Sequence, residues 1–150
     1  MEESRGRLLP GAAAMKPTLV VCEDGSEYTE RFQRFLGGEF QFVRAAHFAE
    51  ALALAPGALG LLLDLDFRRT DASLLVDESG APAAKSAADV QGILLLRALR
   101  SRGVRVPALL FADLDDAQRA ARLEADLAPL QIVSSSEGLQ LIAERLRKLT

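Results

Sequence analysis

Carboxylates recur at the ends of apolar runs in this 150-residue chain. Glu23 and Asp24 follow Thr18 to Cys22, Asp64 and Asp66 close the run that starts at Leu59, and Asp113 follows Val106 to Phe111. Acids brought together repel one another and raise each other's pKa unless a cation sits among them. Oxygen ligands of this kind suit Mg²⁺, which keeps several waters and takes one or two carboxylates. A carboxylate beside bound Mg²⁺ can accept a phosphoryl group, because the metal neutralises charge during transfer. Single solvated acids are common at strand ends. An adjacent pair on one run with an Asp-x-Asp on another is a more specific pattern and favours a shared site.

The elements that must position these acids alternate along the chain. Thr18 to Cys22 is nearly continuous in apolar character, as a strand buried on both faces is. Ser26 stands as N-cap before a helix from Glu27 to Leu36, with Tyr28, Phe32, Phe35 and Leu36 on one face, stopped by Gly37 and Gly38. A second strand is expected over Phe40 to Ala45, and a short helix over Phe48 to Leu54 that ends at Pro56 and Gly57. Strands follow over Leu59 to Leu65, Val106 to Phe111 and Leu130 to Val133. Helices are expected over Gly92 to Ser101, Asp115 to Leu127 and Gly138 to Leu149. Five strand–helix units imply a doubly wound, five-stranded parallel sheet in a three-layer α/β/α arrangement of flavodoxin-like topology. Sites in such sheets lie beyond the carboxyl ends of the strands, where these acids fall.

Residues 68–90 break the rhythm. They are polar, rich in Ala and Ser, and carry Gly80 and Pro82, with Leu74 to Val76 as a short strand or turn. A connection of this length is usually functional or mobile.

Composition narrows the function. The formal net charge is −3 and no long basic run occurs, which argues against nucleic acid as partner. The densest group, Arg97, Arg100, Arg102 and Arg105, reads as a solvated helix face. A single cysteine, Cys22, excludes an internal disulfide and a multi-cysteine zinc site, and its apolar setting makes it a buried, inert thiol. His47, the one histidine, is expected to be partly exposed ahead of a helix, and nothing in the sequence pairs it with Cys22 as a nucleophile. No apolar stretch approaches the ~20 residues needed to span a membrane, and the first residues do not read as a secretory signal. Residues 1–15 are expected to be a flexible tail, residues 16–150 the domain, and the protein cytoplasmic.

From about Pro17 to Leu149 the chain resembles the receiver domains of bacterial two-component response regulators. Glu23 and Asp24 after Leu-Val-Val-Cys are similar to the family's acidic pair, and Asp64 in Gly-Leu-Leu-Leu-Asp to its phospho-accepting aspartate. The resemblance implies Mg²⁺ as the cofactor, held by Glu23, Asp24, Asp64 and the backbone carbonyl of Asp66. Gly92 to Arg100 resembles the family's third helix, and Val106 to Phe111 its fourth strand. Three switch positions depart from the pattern. Ala112 stands where the family has Thr or Ser, Ser134 and Ser135 where it has Lys followed by Pro, and Gln131 where it has an aromatic residue. The insertion over 68–90 is a further departure, and from its position Arg68 or Arg69 could replace the missing positive charge, with Lys85 less local.

The expectation is therefore an atypical receiver, not an enzyme, that acts in signal transduction by binding a kinase or effector protein, with a homodimer left open. Two alternatives stand beside it. One is a receiver still phosphorylated at Asp64 with altered read-out. The other is a Toprim-like Mg²⁺-dependent nuclease or phosphotransferase, which Glu23 and Asp64-Leu65-Asp66 imitate, although Asp24 stands where that family usually has Gly. A glycine-rich dinucleotide loop is missing after the first strand, and Ser134 to Ser136 read as caps of the last helix, with no paired base. Asp113, Asp115 and Asp116 are placed to favour the N-terminus of the helix that follows them, over Asp115 to Leu127.

Overall fold

A computed structural model describes residues 16–150. The expected tail over residues 1–15 lies outside the described residues. Five strands, β1 (Thr18–Cys22), β2 (Gln41–Ala45), β3 (Gly60–Asp64), β4 (Ala108–Phe111) and β5 (Leu130–Val133), form one all-parallel sheet in the order β2-β1-β3-β4-β5. Leu19 pairs with Gly60 and Phe42, and Asp64 with Phe111, so the carboxyl ends of β1, β3 and β4 finish together. This is the doubly wound flavodoxin-like topology expected from the alternation of elements.

Helices α1 (Glu27–Leu36), α2 (Phe48–Leu54), α3 (Gln91–Ser101), α4 (Ala117–Asp126) and α5 (Leu139–Arg147) cover both faces. Strand side chains alternate between the faces, as a period of two requires. Leu19, Val21, Leu62 and Leu109 pack with Phe32, Leu36, Ile142 and Leu146 under α1 and α5. Val20, Leu61, Leu63 and Leu110 pack with Ala51, Ile93, Leu96 and Leu123 under α2, α3 and α4. Phe32, Phe40, Phe42 and Phe48 join the core, whereas Phe35 is 59% exposed, with the Arg34 guanidinium over its ring 5.6 Å from the centre. The apolar face of α1 is narrower than its sequence suggested. Among the described residues no helix is long and apolar enough to cross a membrane.

The insertion is ordered by specific bonds. Phe67 and Leu75 are fully buried, and Val76 and Pro82 form an isolated antiparallel bridge. The buried Gln91 side chain donates to the Val76 carbonyl and accepts from the Val76 amide, both at 2.9 Å. Asp71 and Asp77 each accept from the amide and hydroxyl of the serine two residues on, closing two tight turns.

Within the arginine group at the end of α3, Arg102 and Arg105 are exposed, but Arg100 does not belong to a solvated face. Arg100 is 7% exposed. Its guanidinium donates to the carbonyls of Leu127, Val104, Val106 and Pro129 at 2.8–3.0 Å, tying α3 to the entries of β4 and β5. Arg105 donates to the Arg100 carbonyl, and Arg102 lies 4.9 Å over the Phe48 ring. Arg100→Met removes the donor from one buried and three part-buried carbonyls, so it is expected to destabilise the fold by about 2–3 kcal/mol. Urea unfolding of the variant against the parent chain measures this.

Candidate functional site

The site is built where β1 and β3 end. Asp24 leaves β1 with a side chain only 5% exposed. Both its oxygens are taken by one residue of the insertion. The Arg69 amide donates to one at 2.9 Å, and the Arg69 guanidinium to the other at 3.0 Å. The same guanidinium reaches Glu27 in the first turn of α1, with bonds of 2.9 and 3.0 Å. These bonds from Arg69 pull the Glu27 carboxyl down to about 2. Gly25 leaves room for this arrangement, since a Cβ there would meet the Glu27 carboxylate and the Arg69 guanidinium.

Arg68 makes a parallel contact. Its amide donates to one oxygen of Asp66 at 2.8 Å and its guanidinium pairs with the other. It also lies 3.6 Å from Asp89 at the far end of the insertion. Lys85 does not enter the site. It donates to the carbonyls of Arg68 and Thr70 at 2.8 Å and so braces the turn that carries the two arginines.

Asp64 ends β3 and is half-buried, with its carboxylate accepting the Leu65 amide at 2.9 Å. It lines a 280 Å³ pocket with Asp24, Asp66, Arg68 and Arg69. Burial pushes its carboxyl up to about 6, and the charges of Asp24, Asp66 and Glu23 push in the same direction. Gly92, at the start of α3, runs directly behind it. A Cβ on Gly92 would collide with the Asp64 carbonyl, so the close approach of helix to strand end needs glycine here.

Glu23 does not face this pocket. It is 1% exposed, and its two oxygens accept from the amides of Tyr28 and Thr29 and from the Thr29 hydroxyl at 2.6–3.0 Å. It therefore does the capping expected of Ser26, whose hydroxyl instead donates to Glu30 at 2.8 Å. With Glu23 turned inward, the Toprim-like constellation with Asp64 and Asp66 is not assembled.

The Mg²⁺ that the fold implies can be tested against these side chains. Glu23 is spent on α1, Asp24 on Arg69 and Asp66 on Arg68. Among the described residues no group of three or more His, Cys, Asp or Glu side chains is arranged to hold a metal ion. The donor set as placed does not fit the cation, because two guanidinium groups stand against the carboxylates that would ligate it.

The side chains at the switch positions are apolar or engaged with other partners. Ala112 is buried and offers only its amide, which donates to the Val133 carbonyl at 2.9 Å. Ser134 donates to Asp113 at 2.9 Å, and the Ser135 hydroxyl and amide bond the same carboxylate. These serines do not cap α5, whose N-cap is Gly138 with no side-chain bond. Of the acids ahead of α4, Asp116 caps it through the amides of Gln118 and Arg119, while Asp113 is held by the serines. The bonds from Ser135 and Ser134 keep the Asp113 carboxyl below the usual range. Gln131 accepts from Arg145. Burial pushes the Cys22 thiol up to about 12, which keeps it protonated and inert.

Sequence reasoning missed Glu27, Gly92 and Tyr28. Tyr28 stacks 4.9 Å from Phe111, and burial with the charge of Asp64 raises its hydroxyl to about 12. No sequence signal linked Glu27 to an arginine 42 residues away.

The fold so described is that of response-regulator receiver domains. The chain is similar to the Francisella response regulator 1452 receiver domain, at 16% identity and a TM-score of 0.65 over 89% of this chain and 96% of that one. It is similar to the BeF3-activated N-terminal receiver domain of Klebsiella pneumoniae RstA, at 19% identity and a TM-score of 0.61 over 87% and 96%. The Vibrio cholerae chemotaxis protein CheY4 gives 12% identity and a TM-score of 0.63 over 91% and 100%. No protein-family model matches the chain, and no curated protein matches it.

The raised pKa of Asp64 has a consequence for stability. Its ordinary value is 3.8 and its folded value about 6, so folding favours the protonated form. The ionised group then costs stability that is absent below about pH 4 and fully felt above about pH 6. Asp64→Asn is expected to raise stability at pH 7.5 by about 1–2 kcal/mol, after discounting for its solvent exposure, with no gain near pH 3.5. Paired denaturant titrations at the two pH values check this.

Proposed function

We propose that this chain is a receiver-fold module of bacterial two-component signalling that works by binding a protein partner, with the phosphorylation switch of the fold lost. The observation that carries the reading is the Arg69 clasp, in which the Arg69 amide and guanidinium together occupy both oxygens of Asp24 and the guanidinium also reaches Glu27. Ala112 has no hydroxyl to meet a phosphoryl group, and Ser134 is committed to Asp113 without the charge of a lysine. The partner is a signalling kinase or effector, not nucleic acid or membrane, and the setting is cytoplasmic. A homodimer remains compatible with this role. The chain is not an enzyme in this reading, and it needs no Mg²⁺.

A second reading keeps Asp64 as a phosphoryl acceptor with altered read-out. It is favoured by the pocket around Asp64, where Arg68 and Arg69 are at hand to meet an anion. Incubation of the full chain with Mg²⁺ and acetyl phosphate, followed by intact mass spectrometry, separates the two. The expected result is an unchanged mass. An added phosphoryl group that disappears in Asp64→Asn would establish the second reading in place of the first.

A further inference from the structure

The sheet face covered by α2, α3 and α4 has two interhelical sides, and they are finished differently. On the α2 side the insertion closes the surface, with Leu75 and Val76 buried and Arg102 both stacked on Phe48 and donating to the Ser79 carbonyl at 2.9 Å. On the other side a groove of 370 Å³ stays open between α3 and α4. Its apolar lining comes from Val90, Ile93, Leu94 and Leu123.

The rims of this groove are predominantly cationic. Arg97 projects from α3, and Arg119 and Arg122 from α4, at a spacing of three that puts both on one helix face. None of the three forms an ion pair with a described residue, although Arg68, Arg69 and Arg147 each do. Asp126 is the one acid along the groove. Three arginines against one aspartate make a local cationic excess on a chain whose net charge is −3.

We propose that the groove between α3 and α4 docks an acidic amphipathic helix of a protein partner. This rests on the reading of the chain as an interaction module and gives that partner its chemistry. An apolar trough between cationic rims matches a helix that presents apolar anchors at i, i+3 or i+4 and i+7 with Asp or Glu beside them. A nucleic-acid strand fits less well, since no aromatic ring lines the trough for bases to stack on. Opposed charge across the rims steers encounter and fixes orientation, while the anchors supply the holding energy.

The immobilised full chain is used to select from a phage-displayed library of random peptides of roughly 15 residues, about four helical turns. Enriched peptides are expected to carry Leu, Ile or Phe at helical spacing flanked by Asp and Glu. A synthetic copy of one, followed by fluorescence anisotropy, is expected to bind about tenfold or more weakly to R119E/R122E, and more weakly as salt is raised. Both arginines are exposed, so the variant is expected to keep the parent's circular dichroism and melting temperature. The same peptide is expected to bind Asp64→Asn as tightly as the parent. The proposal is overturned if no acidic helical peptide is enriched, or if R119E/R122E binds the peptide unchanged. It is also overturned if the arginine pair instead governs binding of a single-stranded oligonucleotide or self-association of the chain. Phosphoryl incorporation at Asp64 would end the lost-switch reading and leave this docking result standing.

Discussion

Asp24 is nearly enclosed, and an enclosed carboxylate needs a counter-charge. Arg69 supplies it from within the chain, through its amide and its guanidinium together, and extends the same guanidinium to Glu27. The contact joins the end of β1, the start of α1 and the first turn of the insertion. A divalent ion exchanges with solution, whereas a tethered guanidinium is present at an effective concentration that competing solutes seldom match. The neighbouring Arg68–Asp66 pair repeats the arrangement, and Lys85 fixes the backbone that carries both arginines. Through these contacts the corner holds the first turn of the insertion in place.

The elements were legible because each carries a strong period. β1 and β3 are short apolar runs ended by acids, and the helix boundaries fall within two residues of their sequence expectation. The convergence of Asp24, Asp64 and Asp66 was legible from the rule that strand ends collect sites. The direction of Glu23 was not, because an acid at a strand end can face a pocket or the amides of the next helix, and only packing decides. Arg100 was readable in hindsight. It continues the stripe Ile93, Leu96, Arg100 on the inward face of α3, where a charged residue signals a buried partner.

The insertion shows what composition hides. Its alanines and serines suggest a loose loop, yet two Asp-x-Ser turns, Asp71 to Ser73 and Asp77 to Ser79, recur in it with the same geometry. The groups that organise it lie elsewhere in the chain. Gln91 satisfies both polar groups of Val76, and Arg102 holds Ser79. Long-range contacts of this kind leave no local pattern, which is why the segment read as a departure and not as structure.

The Phe67 amide donates to the Ala88 carbonyl at 2.8 Å, so the chain enters and leaves the insertion through hydrogen-bonded neighbours. A segment whose two ends already touch adds little strain to its host, since the closure entropy of a loop grows only slowly with its length. In architectural terms it is a side room with a single doorway. The β3-to-α3 passage that it interrupts keeps the same width, while Arg69, Leu75 and Val76 fasten the contents to the walls of the domain.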